Sequence, residues 1–431
     1  MNNLLLSASG FLTSVLYILL AIVVLLFMIT VHEFGHYVAG KLLKFKINEF
    51  SIGFGKAIFS RTKKNGEKFS LRIFPLGGYC AFEGEDEDKE NVEGAFNSQK
   101  PWKRLIVLFM GAFFNFLSAI IFAVIFLMSF GYNDRVQVKT VEMPSFAVEQ
   151  ENWLKEGDII FAVNGKETNF VYDEYFTTLI ANYDVNETFT VSVNREGKVI
   201  DLQIKKSWFN CKTKESTLNS KSKLFALDGT NFDYAIKKDN LGFYKVYNIN
   251  SPSKTYTVDE DGFVTIGSTT FKVDYSQVES EGDLSSVTIS SAKIGILTQN
   301  YRYGFFEAIA RSFVFCFGWA WKILIILWQL ITGQLALTSM GGTVTTIVTI
   351  AEVTQTNIAS LLLLIPLISI NLAVFNLLPF PALDGARMVF VAIEWIRGKP
   401  VSRKVEGIIH FAGLLVLLAF VLLVDILHFV V

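Results

Sequence analysis

Apolar residues in this chain gather in long unbroken blocks, not at the three-and-four spacing of a surface helix. Phe11–Val31 is uncharged over 21 residues, Leu105–Phe130 over 26 and Val353–Leu383 over 31. Gly407–Val424 is a shorter block interrupted only by His410. About 20 apolar residues cover the ~30 Å of bilayer hydrocarbon, so each block predicts a transmembrane helix. Phe11–Val31 has no basic leader and is too long for the apolar part of a cleaved signal, so it is expected to be retained. A fifth block, Ser312–Thr332, holds Lys322 at its centre and several Trp residues. It suits a span or an amphipathic interfacial helix. Polar sequence with period-two alternation fills residues 132–305. It is clearest in Phe189–Val193 and Lys198–Leu202, with Asn194-Arg195-Glu196-Gly197 as a hairpin turn between them. The pattern predicts a polytopic α-helical membrane protein with four transmembrane helices and one β-rich domain outside the bilayer.

Charge orients this arrangement. The loop from Lys41 to Arg104 carries 13 Lys and Arg, and Arg397, Lys399, Arg403 and Lys404 follow the third block. Residues 1–31 and the tail after Val424 carry none. The positive-inside rule puts both basic loops in the cytoplasm and residues 132–305 outside. Composition agrees: 51% of the 431 residues are hydrophobic and only 18% charged, against roughly 25% in soluble domains. A net charge of −1 offers no basic excess for nucleic acid, and the three cysteines are too few and too scattered for a disulfide framework or thiolate zinc site.

The candidate chemistry sits where the first block ends. His32-Glu33-Phe34-Gly35-His36 places two imidazoles at i and i+4 on one helix face, where both can grip one metal ion, with a carboxylate beside them to act as a base. Ionisable groups at membrane depth are costly and usually functional. The zinc reading needs a third ligand. His410 and His428 belong to the last, outward-running block and are poor candidates. Asp384 is the best one: it closes the 31-residue apolar run, and Pro379 and Pro381 break the helix just before it. For Asp384 to reach the depth of the histidines, Ser312–Thr332 must be interfacial or be paired with a returning segment near Leu335–Ile350.

With these motifs in hand, the chain resembles the site-2 proteases, specifically the bacterial regulator-of-sigma-E protease group of the M50-like intramembrane zinc metalloproteases. His32-Glu33-Phe34-Gly35-His36 and Asn376-x-x-Pro-x-Pro-x-Leu-Asp384-Gly385 carry the resemblance. Phe74-Pro75-Leu76-Gly77-Gly78-Tyr79, Glu83-Gly84-Glu85 and Gly111…Asn115 extend it. It implies Zn²⁺ held by His32, His36 and Asp384, with Glu33 as the catalytic base. Asn376, with Pro379 and Pro381, would position substrate. Residues 1–131 would then form the first two spans and a cytoplasmic loop whose Glu67–Phe82 segment resembles a membrane-associated β-hairpin. Residues 132–305 would form the outer region, with a PDZ-like domain at about 135–206 carried by Leu154-Lys155-Glu156-Gly157-Asp158 through Asn164-Gly165. Residues 306–431 would supply an interfacial helix and the last two spans. The expected substrates are single-pass membrane segments, usually cut first by another protease, in the cell membrane. Ala112 and Asn152-Trp153 depart from the family pattern, and residues 206–290 match nothing. The rival readings are a membrane zinc protease with a glutamate as third ligand, and a non-catalytic membrane adaptor that presents the PDZ-like domain. A metal transporter is disfavoured by the lack of several intramembrane His and Asp pairs.

Overall fold

A computed structural model describes residues 8–85, 93–142, 153–169, 174–181, 183, 187–205, short stretches within 214–291, 295–336 and 341–430. Pro144, Asn152 and much of 206–290 lie outside the described residues. The chain divides into two compact units, Met1–Ser129 with Tyr303–Val431, and Phe130–Arg302.

The first unit is helical. Among the described residues, five helices are long and apolar enough to cross a membrane, within Leu12–Leu42, Pro101–Phe130, Phe305–Ile331, Ile358–Leu377 and Arg403–Leu427. We label them α1 (Ala8–Leu42), α2 (Pro101–Phe130), α4 (Phe305–Ile331), α6 (Leu361–Leu377) and α8 (Arg403–Val430). Two shorter helices belong to the same unit, α5 (Thr343–Thr356) and α7 (Asp384–Arg397). The exposed faces of the long helices are themselves apolar, as Leu16, Leu19, Val23 and Phe27 on α1 and Leu414, Leu415, Val416 and Leu418 on α8 show. Side chains of that kind on all sides suit a hydrocarbon solvent.

Two details differ from the sequence reading. The block expected as Ser312–Thr332 is a 27-residue helix starting at Phe305. Lys322 is accommodated over the Trp319 ring at 5.3 Å. The 31-residue run Val353–Leu383 is not one helix. Val353 lies in the last turn of α5, which ends at Thr356; Asn357 then adopts an extended conformation and caps a short turn through Ala359 N–H, so α6 starts afresh at Leu361. The direction of α4 is set by Tyr303 N–H on the Leu127 carbonyl (3.2 Å) and Phe317 on Phe116 (4.8 Å between centroids). It runs antiparallel to α2, as α1 does. Since α6 brings Asn376 beside Glu33, α6 runs the same way as α4, and the chain returns between them within 332–360.

A long hairpin, β1 (Ile47–Thr62) and β2 (Lys68–Phe82), follows α1. Its root is an aromatic core in which Phe45, Phe82 and Phe96 meet at 5.5–5.7 Å between centroids, backed by Val107, Leu108 and Val391. Arg104 fastens the foot of α2 to α7 through Glu394 at 2.8 Å and is 1% exposed.

The second unit is β-rich. Six strands form its main sheet: β3 (Tyr132–Glu142), β4 (Ile159–Val163), β5 (Lys166–Glu167), β6 (Thr188–Arg195), β7 (Lys198–Lys205) and the strand Gly295–Tyr301. The order is Gly295–Tyr301, β3, β4, β6, β7, with β5 on β4. Alternate residues of β6 and β7, including Phe189, Val191, Val193, Leu202 and Ile204, bury against Leu154 and a short helix α3 (Phe176–Ala181). The β6–β7 turn falls on Glu196 and Gly197, both at positive φ, as a two-residue hairpin turn requires. Strands described within 214–291 form separate small antiparallel sheets.

Candidate metal centre

The centre is built near the C-terminal end of α1. One helical turn separates His32 and His36, so both rings leave the same face; each residue is 7% exposed. Asp384, the first residue of α7, reaches them from 352 and 348 positions away. Its Oδ2 lies 3.0 Å from His32 Nε2 and 3.2 Å from His36 Nε2, and the two Nε2 atoms are 3.2 Å apart. These are the ligand atoms of a potential metal group. Two tetrahedral ligands each ~2.1 Å from a zinc ion sit about 3.4 Å from each other, so the triangle has nearly the size a zinc ion needs.

The outer atoms of the rings fit the same reading. His36 Nδ1 lies 2.8 Å from the Val107 carbonyl. A carbonyl only accepts, so Nδ1 carries the hydrogen and Nε2 of the neutral ring presents its lone pair to Asp384 and His32. Asn115 is fully buried, its Nδ2 is 3.3 Å from His32 Nδ1, and its Oδ1 has no partner among the described residues. The amide oxygen and nitrogen are interchangeable assignments. Turned over, Asn115 accepts from His32 Nδ1–H and leaves Nε2 free there as well. Two lone pairs and a carboxylate oxygen converging on one point call for a cation.

Small residues make room for this cluster. A Cβ on Gly111 of α2 would lie 2.4 Å from His36 Nε2 and 2.7 Å from His32 Cε1. A Cβ on Gly385 would lie 2.3 and 2.4 Å from the carbonyls of Leu378 and Leu377, so only glycine lets α7 begin against the end of α6. Pro379 and Pro381 lie in the turn between those helices, where α6 ends.

Beside the triangle is a cavity of about 260 Å³ lined by His32, Glu33, Asp384, Asn376 and the hairpin residues Phe54, Gly77 and Gly78. The expected base and the expected substrate-positioning asparagine therefore face one space with two of the three candidate ligands. Pro379 and Pro381 do not line it. The hairpin is tied to α1 by Glu67, which pairs with Lys41 and with Lys63 (3.0 Å) and accepts from Asn65 Nδ2 at 3.2 Å. Burial alone would raise the Glu67 carboxyl, but hydrogen bonds from Lys41, Tyr37, Lys63 and Asn65 outweigh it and hold the pKa at about 2.

Comparison with known proteins now bears on this geometry. The family model for peptidase family M50 matches residues 20–420. The chain belongs to peptidase family M50. This M50 chain is 29% identical over 412 residues to a Fusobacterium nucleatum protein named "Putative zinc metalloprotease FN1322", covering 95% of this chain and 97% of that one. The regulator of sigma E protease of Haemophilus influenzae is 28% identical, with 92% and 95% covered. The regulator of sigma-E protease RseP of Salmonella typhimurium is 26% identical, with 94% and 97% covered. Like its long apolar helices, the family match makes the chain a multi-pass membrane peptidase.

His410, which the sequence reading judged a poor zinc ligand, is outside the ligand triangle. His410 was set aside because it lies in the last span, yet its Nδ1 accepts a hydrogen bond from Ala382 N–H at 2.9 Å, two residues before Asp384. A lone ionisable residue in an apolar helix was the signal that could have found it.

Proposed function

We propose that this M50 peptidase is a zinc-dependent intramembrane metalloendopeptidase that cuts single-pass membrane protein segments. The observation that carries the proposal is the meeting of His32, His36 and Asp384 at one point, with Glu33 on the adjoining cavity. The metalloprotease names of the relatives support zinc as the metal, and the sigma-E protease names support a regulatory proteolysis.

His32 Nε2, His36 Nε2 and the Asp384 carboxylate would hold the ion, while Val107 and Asn115 fix the ring orientations. Bound there, zinc supplies Lewis acidity that acidifies water and polarises a carbonyl. Glu33 takes a proton from the attacking water and returns it to the leaving amine. Asn376 hydrogen-bonds the substrate backbone across the cavity. A helical substrate hides its peptide bonds and must unwind, and the freed groups need new partners. The hairpin edge near Gly77 and Gly78 offers them by strand addition. Loop charge argues for an active site near the cytoplasmic face of the cell membrane, reached by water from that side, and for residues 132–305 outside it. The PDZ-like part of that region would select substrates already shortened by another protease.

The test is co-expression with tagged single-pass segments that carry helix-destabilising residues. The native chain should release a product, and Glu33→Gln should reduce its rate by about 10²–10⁴-fold. Equal product from both would favour the adaptor reading.

A further inference from the structure

The turn that presents Asp384 is held in an unfavourable backbone state. Ala382 has φ +86°, one of four non-glycine residues with positive φ among those described. Such a conformation costs an ordinary residue roughly 1–2 kcal/mol and persists only where its surroundings impose it. Two contacts from α8 do so. Gly413 lets α8 approach so closely that a Cβ there would lie 2.3 Å from Pro381 Cβ and 2.7 Å from the Pro381 carbonyl oxygen. One turn earlier, His410 Nδ1 receives the Ala382 N–H at 2.9 Å.

The direction of that hydrogen bond decides the tautomer. A backbone N–H only donates, so Nδ1 must carry its lone pair, and the hydrogen of the neutral ring sits on Nε2. Nε2 is buried with no hydrogen-bond partner among the described residues. His410 therefore presents its lone pair to the ligand turn.

We propose that His410 is a positioning residue of the metal centre: its Nδ1 fixes the 381–383 turn and thereby the place of the Asp384 carboxylate. The inference rests on Asp384 being a zinc ligand. The chemistry asks for an acceptor at the Nδ1 position and for nothing at Nε2. Asparagine can place its Oδ1 where Nδ1 lies, whereas glutamine places its acceptor where Nε2 lies. The two substitutions are similarly polar and similarly disruptive, so they separate a specific contact from general packing.

The experiment uses the purified full-length chain in detergent, loaded with zinc and titrated with a graded chelator. Bound zinc is read by metal analysis and folding by thermal unfolding. Loss of an outer-shell partner lowers metal affinity by about 10–100-fold. His410→Asn should hold zinc like the native chain, while His410→Gln and His410→Ala should release it at roughly tenfold lower chelator concentration. Equal retention by all variants would overturn the inference while leaving the zinc reading intact. Equal loss in Asn, Gln and Ala variants would also overturn it, by pointing to packing alone. A native chain that takes up no zinc would instead remove the proposed function, and this inference with it.

Discussion

Each unit holds one aspartate against a cluster of nitrogen atoms, and the nitrogens differ. In the β-rich unit Asp158 is fully buried and satisfied by its own chain. Arg195 grips it with two nitrogens at 2.8 Å each, and Lys155 N–H donates to it at 2.7 Å. In the helical unit Asp384 has two imidazoles as its ion-pair partners among the described residues. Those rings carry no permanent charge, and their Nδ1 atoms are already engaged by Val107 and Asn115. A paired carboxylate is a structural staple. A carboxylate facing lone pairs is a donor set that suits a cation. The residue type is the same, although Asp158 is fully buried and the Asp384 side chain is 17% exposed, so the identity of the facing atoms distinguishes stability from chemistry.

That contrast can be broken most forcefully from the Asp158 side. Removing one partner of a buried ion pair strands the other, so Asp158→Ala should destabilise the β-rich unit by about 3 kcal/mol, read by thermal unfolding, while zinc binding is unchanged. Loss of zinc in that variant would mean that the two aspartates are not independent.

Glycine substitutions sharpen the same comparison. Gly111→Ala puts a methyl 2.4 Å from His36 Nε2 and should lower zinc affinity by about 10–100-fold. Gly157, in the turn before Asp158, has open space around it and φ +92°. Gly157→Ala should cost only about 1 kcal/mol of stability through backbone strain, with zinc affinity unaltered.

The smallest effect concerns Glu67. Its folded pKa of about 2 lies below the ordinary value of 4.5, so its contribution is present above pH 4.5 and is lost as pH falls from there through about 2. Limited proteolysis of the hairpin should accelerate across that window in the native chain. Glu67→Gln should be more sensitive at neutral pH and flat across the window.

The candidate metal centre was legible because the chemistry proposed for it restricts residue type. Two histidines at i and i+4, in a chain that has four in all, and an acid closing a proline-broken apolar run leave few other interpretations. What escaped depends on contacts between distant segments. His410 looked like a span residue because its partner is a backbone N–H 28 positions away, which no side-chain pattern announces. Asp425 escaped in the same way. It caps α5 by accepting from Val344 N–H (3.2 Å) and Thr345 N–H (3.0 Å), 81 and 80 positions earlier. Helix number was hard to read for a physical reason. Composition alone does not separate an apolar helix with one lysine from an interfacial one, and Asn357 interrupts an apolar stretch without any charge. Residues 206–290 lacked a legible plan because short polar strands carry weak periodicity.

The most direct measurement is zinc stoichiometry by metal analysis of the purified native chain beside Asp384→Ala and His36→Ala. The account predicts close to one zinc per native chain and almost none in either variant, with all three folded by thermal unfolding. An Asp384→Ala chain that retains its zinc would contradict the claim that this carboxylate completes the site.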